Sequence, residues 1–174
     1  MVTAFDNTML LFSTPVYYHT DFHSDQIHDT TKEQTKVTKN LEGNFSSQEH
    51  NILELESYQI IKDRILQGLH EYTRTVLSID ESVKFYITQS WLNINPPDTK
   101  HHRHNHSNSI ISGTLYLKSE EKHPPLEFKK QKMEFEPFIS LTEHYKKGNP
   151  NTASTLGFPC TQDTMLVFNS HLYH

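Results

Sequence analysis

The sequence predicts a mainly β domain, an antiparallel sandwich or jelly roll with one helix packed on a face. Three observations carry this. Between Glu54 and Leu77 apolar residues recur at three- and four-residue steps, the period of a helix lying on a core. From Lys84 the period changes to two, and short runs of strand formers separated by turn-rich loops follow as far as Asn169. Ten Phe, eight Tyr and one Trp against five Gly in 174 residues suit packed strands rather than low-complexity chain.

Residues 9–18 are strand formers interrupted by Pro15, which lacks a backbone donor and confines them to a sheet edge or an extended lead-in. Residues 19–51 turn polar and read as a surface excursion. In the helical segment Ile61, Ile65, Leu69, Tyr72 and Val76 form one stripe, with Asp63, Arg64, Gln67, Glu71 and Arg74 between them. That stripe is expected to be almost wholly buried against a sheet. In Lys84–Asn95, Phe85, Ile87, Gln89, Trp91 and Asn93 share one face of an expected strand that Pro96-Pro97 ends, with Trp91 read as core. Further strands are expected at Ile110–Lys118, Leu126–Lys130 and Thr164–Asn169, with residues 133–158 as a polar insertion. Together residues 1–174 form one domain.

A net charge of −5 and a pI near 6.2 give no broad basic surface, so no nucleic-acid partner is expected. Cys160 is the only cysteine, which excludes an intramolecular disulfide and a thiolate zinc cluster and fits a reducing, cytoplasmic setting. Residues 1–15 carry no basic run of the signal-peptide kind, and no segment approaches the roughly 18 apolar residues of a membrane span. Glycine-rich nucleotide cradles are missing, and Ser112-Gly113 lacks the preceding glycine of a nucleophile elbow.

The 13 histidines are informative through their placement. Four lie in His101-His102-Arg103-His104-Asn105-His106, where an extended chain points His102, His104 and His106 to one side. Imidazoles at this spacing hold a metal ion through nitrogens at about 2 Å, but a third ligand must come from elsewhere, and His171 and His174 are the candidates. A solvated loop that binds metal only as a histidine tag would is the alternative. His19, His23, His28, His50, His70, His123 and His144 are scattered and read as surface residues.

The segments Gln89-Ser90-Trp91-Leu92-Asn93, His104-Asn105-His106-Ser107-Asn108-Ser109, Ser112-Gly113-Thr114-Leu115-Tyr116-Leu117 and Phe168-Asn169-Ser170-His171-Leu172-Tyr173-His174 resemble a group of small 2-oxoglutarate-Fe(II) oxygenases of bacteria and phages. With the Phe12-Ser13-Thr14-Pro15-Val16 segment, the resemblance covers nearly the whole chain. It implies a double-stranded β-helix, a cupin-like jelly roll, that binds Fe(II) and 2-oxoglutarate and hydroxylates an unidentified substrate with release of succinate and CO2. His104 matches the first metal histidine and His174 the distal one. His106 stands where most such enzymes carry Asp or Glu; a third imidazole would leave the iron more positive. Asp98 or a water is the other way to complete the shell. Tyr116 is a candidate to touch the cosubstrate, the alternative being a core aromatic with a satisfied hydroxyl; Asn93 is a candidate cosubstrate-pocket residue, and Asn169 replaces the family's proline. Relatives continue past the distal histidine into a strand whose arginine pairs with the far carboxylate of 2-oxoglutarate, so the expectation is a natural chain that runs beyond His174. The rivals are a three-histidine dioxygenase or isomerase that uses no 2-oxoglutarate, and a non-catalytic β-sandwich that binds a partner or rides on a virion. A homo-oligomer is left open, and a phage origin would place the protein in the host cytoplasm.

Overall fold

The computed structural model describes residues 13–20, 22, 36–120, 123–130 and 149–174. Its strands, in chain order, are β1 (Val16–His19), β2 (Val37–Lys39), β3 (Phe45–Ser47), β4 (Asn93–Ile94), β5 (Ile111–Tyr116), β6 (Leu126–Lys129), β7 (Thr155–Phe158) and β8 (Thr164–Asn169), with one α-helix, α1 (Gln59–Glu71), between β3 and β4. They form antiparallel sheets in the orders β1-β8-β5, β2-β3-β4 and β6-β7. The described residues are thus mainly β with one helix, as the periodicities predict. None of their helices is long and apolar enough to cross a membrane.

The run Met165-Leu166-Val167-Phe168 is apolar without alternation because β8 is the central strand of its sheet and is covered on both faces. Met165 and Val167 pack under α1 with Phe22, Ile61 and Tyr72. Leu166 and Phe168 face the other way, onto Phe128, Leu126 and Phe158 of the β6-β7 layer, with Tyr116 of β5 beside them. Each such side chain contributes about 1.5–3 kcal/mol when fully buried, so this strand organises three layers. Close approach needs glycine at one point above all: a Cβ on Gly113 of β5 would stand 2.8 Å from the Leu166 carbonyl oxygen across the ladder.

Three expectations change in the structure. The helical stripe is buried at Ile61 and Tyr72, but Ile65 and Leu69 are only partly covered and Val76 is exposed. The reason is local: Tyr72–Val76 winds as a π-helix, with Leu77 N–H donating to the Tyr72 carbonyl, and the wider turn rotates Val76 off the stripe. The Thr73 hydroxyl bonds back to the Leu69 carbonyl at 2.9 Å within this turn.

The expected strand Lys84–Asn95 shrinks to Asn93–Ile94. Partial burial falls on Phe85 and Ile87 and then on Ser90 and Leu92, so the alternation changes phase between Ile87 and Ser90. Backbone pairing starts only at Ser90, through His50 and Ile52. Trp91 is thereby turned outward at 38% exposure, against the reading of it as core.

Of the polar excursion at residues 19–51, residues 19, 20, 22 and 36–51 are described; Phe22 is buried in the core, and the 36–51 stretch is also more than surface loop. It folds as the β2-β3 hairpin, with Asn44 and Ser47 buried. The expected insertion at residues 133–158 lies largely outside the described residues, which from residue 155 carry β7.

Substituting Gly113 with Ala should cost about 1–3 kcal/mol, because the opposing atom is backbone and cannot give way. Gly68→Ala should cost less. There the new methyl clashes with the flexible end of Met165 and makes ordinary contact with the Tyr17 ring, and helix propensity returns about 1 kcal/mol. Urea denaturation of the two variants decides this; a larger loss for Gly68→Ala would show that β5 and β8 can separate more easily than the packing implies.

Candidate metal centre

Beyond β8 the chain makes a turn closed by Leu172 N–H donating to the Asn169 carbonyl at 3.0 Å, and the histidine loop runs antiparallel beside the residues that follow it. His104 N–H donates to the His174 carbonyl at 3.0 Å, and His174 N–H donates to the His104 carbonyl at 3.1 Å. This reciprocal pair is the hydrogen-bonded unit of an antiparallel ladder, so it fixes two residues 70 positions apart directly opposite each other. On the other side of that turn, His106 N–H donates to the Ser170 carbonyl at 2.9 Å. On the far side, Lys129 of β6 donates to the Tyr173 carbonyl, so the terminal segment lies between the histidine loop and β6.

The side chains follow from this backbone. His104, His106 and His174 offer one ring nitrogen each, all within 4.8 Å of one another. The His104 and His174 rings lie 4.6 Å apart between centroids, and His106 stacks over His174 at 5.3 Å. Nδ1 of His104 sits 2.9 Å from the His102 carbonyl, and Nδ1 of His174 sits 2.8 Å from the Leu172 carbonyl. A carbonyl oxygen can only accept, so both Nδ1 atoms carry the proton and Nε2 is left as the lone-pair nitrogen. The same device, a ring bonded to the carbonyl two residues back, orients both rings as second-shell bonds orient metal-ligating imidazoles. Phe168 meets the His174 ring edge-on at 4.8 Å and closes the site toward the core.

Burial holds His106 below the ordinary histidine value, with the adjacent His104 ring as a further cause. His174 is lowered first by burial; the Leu172 carbonyl opposes this, and His104, His106 and His101 reinforce it. Neutral imidazoles are what a metal requires. Three such nitrogens suit a first-row divalent ion of the Fe, Zn, Cu or Ni kind, and the donor set fits iron(II) without a carboxylate. Closing from 4.8 Å to the roughly 3 Å between cis ligands at about 2.1 Å needs small ring movements only.

Other residues singled out in the sequence stand apart from this group. His102 contributes its carbonyl and lays its ring 5.2 Å from His104. His101 is tied to the β2-β3 hairpin, its Nε2 accepting from buried Asn44 at 2.8 Å. His171, exposed, donates its backbone N–H to Asn169, so His174 rather than His171 is the long-range partner. Among the described residues, Asp98 joins no such cluster of ligands. Asn93 is exposed on β4, its Oδ1 accepting from the Ser46 hydroxyl at 2.8 Å. Tyr116 pairs with Thr164, six residues from Ser170 and so about 20 Å along the strand. Its hydroxyl bonds Cys160, and burial raises its pKa far above the usual tyrosine range. No hydrogen bond or ring contact joins Asn93 or Tyr116 to the three imidazoles.

Two features escape sequence reasoning. Trp91 lies 5.8 Å from His106, ring to ring, forming a wall of the site. Ser170, wholly buried, accepts or donates hydroxyl bonds with Ser109 at 2.7 Å and Ser112 at 2.8 Å. The parity of β5 and β8 was the only signal available for the serines, since Ser112 and Phe168 pair and Ser170 falls two residues on.

Residues 89–174 match the model of the family described as Putative 2OG-Fe(II) oxygenase. A comparison with curated proteins returns no match.

Because Trp91 is the single tryptophan, its emission reports on this site alone. Titration with Co(II) should quench it, and His174→Ala should remove the effect; undiminished quenching in that variant would place the ion elsewhere. A second outcome concerns pH. Below about 6.5 an unfolded chain protonates its histidines, while folded His106 and His174 resist because their values are lowered. The unfolded state then binds more protons, so the metal-free protein should lose stability as pH falls from about 6.5. Melting temperatures measured from pH 8 to 5 should drop less steeply in His174→Gln than in the wild type.

Proposed function

On the premise that residues 89–174 form a 2-oxoglutarate-Fe(II) oxygenase domain, we propose that the protein is an Fe(II)- and 2-oxoglutarate-dependent dioxygenase that hydroxylates a substrate and releases succinate and CO2. The observation that carries this reading is the convergence of His104, His106 and His174 from two segments joined by reciprocal backbone bonds. In the same reading the chain is one domain, residues 1–174, and its strands close as a double-stranded β-helix. The packing of β1-β8-β5 against β6-β7 through Leu166, Phe168 and Phe128 supports that closure.

His104, His106 and His174 would hold the metal, and bound iron with 2-oxoglutarate supplies the oxidising chemistry toward a C–H bond. The chain's own part is to hold three imidazole nitrogens in place, two of the rings oriented by the His102 and Leu172 carbonyls. Phe168 and Phe128 keep water from the inner side of His174. Trp91 beside His106, with exposed Asn93 two residues on, marks the side from which cosubstrate and substrate approach.

One feature favours a second reading. The three ligating candidates are all imidazoles, which is the donor set of a three-histidine dioxygenase or isomerase that does not consume 2-oxoglutarate.

Incubation with iron(II), ascorbate and 2-oxoglutarate separates the two. Succinate should form in an iron-dependent manner and fall to background in His104→Ala. Iron bound at one equivalent with no 2-oxoglutarate consumed, across a panel of candidate substrates, would replace the first reading by the second.

A further inference from the structure

The three imidazoles are held by two separate clamps. His104 and His174 hold each other through their reciprocal backbone bonds. His106 has no such partnership; its backbone is anchored to Ser170 alone, by its N–H to the Ser170 carbonyl at 2.9 Å. Ser170 in turn is bound four times to the 106–112 segment. Its carbonyl takes the His106 N–H, its own N–H reaches the Ile110 carbonyl at 3.0 Å, and its hydroxyl meets those of Ser109 and Ser112. The residue is wholly buried, so each of these bonds is made without competition from water. Ser107 and Asn108, which link His106 to this knot, are exposed and offer no packing of their own.

We propose that Ser170 is a positioning residue whose hydroxyl, tied to Ser109 and Ser112, holds His106 in reach of the nitrogens of His104 and His174. This rests on the metal-centre reading for its purpose but not for its geometry. Small loss of aim is costly at such a site: replacing an outer-shell partner of a metal ligand typically lowers affinity about 10- to 100-fold. The hydroxyl knot therefore decides whether the loop presents two imidazoles or three.

A double-mutant cycle with Co(II), read by Trp91 emission, tests the route of action. Ser170→Ala should weaken Co(II) binding about 10- to 100-fold in the wild-type background, and by less than about twofold when His106 is already Ala, because nothing is left to position. Equal weakening in both backgrounds would overturn the proposal. A second arm needs no metal. In the metal-free protein, Ser170→Ala should speed amide exchange at His106 about tenfold, while His104, bonded to His174, stays within about twofold. Equal acceleration at both amides would show general loosening and refute a specific role. Should Ser170→Ala fail to fold, Ser109→Ala removes one bond from the knot and should give the same pattern with smaller amplitude. Wild-type protein that binds no Co(II) would remove the metal-centre reading, leaving the exchange result to judge Ser170 by itself.

Discussion

The reciprocal pair of hydrogen bonds between His104 and His174 is the constraint on which the candidate site depends. Antiparallel pairing admits only two kinds of opposition, and this is the hydrogen-bonded one, in which both residues donate and accept. It sets His104 opposite His174, while His106 is placed through Ser170 on the other side of the 169–172 turn. A slip of one residue would turn His104 and His106 to the opposite side and bring Arg103 and Asn105 in their place. Arg103 points outward instead and pairs with Glu127 of β6 at 2.9 Å, an exposed contact of small energetic weight that agrees with the register without fixing it.

The register is maintained from the inside by β8. Burial of Leu166 and Phe168 on one face and Met165 and Val167 on the other leaves that strand no freedom to slide, since any slip exposes apolar area on both sides. Stability and site geometry are therefore coupled through one six-residue strand. Phe168 shows the coupling most directly, packing on Phe128 at 5.0 Å and on the His174 ring at 4.8 Å. The core ends where the imidazoles begin.

Three imidazoles without a carboxylate give the proposed centre a higher positive charge than a two-histidine, one-carboxylate set would. Burial first, and then repulsion from the neighbouring imidazoles, lowers His106 and His174. His106 and His174, which resist protons, are prepared for a cation bound through lone pairs. The outward Trp91 adds an aromatic wall on the side away from the core, where a ligand has access.

Among the described residues, the sequence by itself determined the mainly β class, the amphipathic helix before the later strands, the Thr164–Asn169 strand to the residue and His104, His106 and His174 as candidate ligands. These were legible because the helical and strand periods are local properties and because the family motifs repeat in order along the chain. What only the tertiary structure decided depends on partners far away in sequence. The phase change before Ser90 comes from pairing with His50 and Ile52, and it moves Trp91 from an expected core position to the site wall. The π-turn at Tyr72–Val76 displaces Val76, which no spacing rule anticipates. The reciprocal backbone bonds that set His104 opposite His174, and the meeting of Ser109 and Ser112 on Ser170, required the tertiary register of the histidine loop against the terminal turn. A residue's period tells which way its side chain points; only the register tells what it points at.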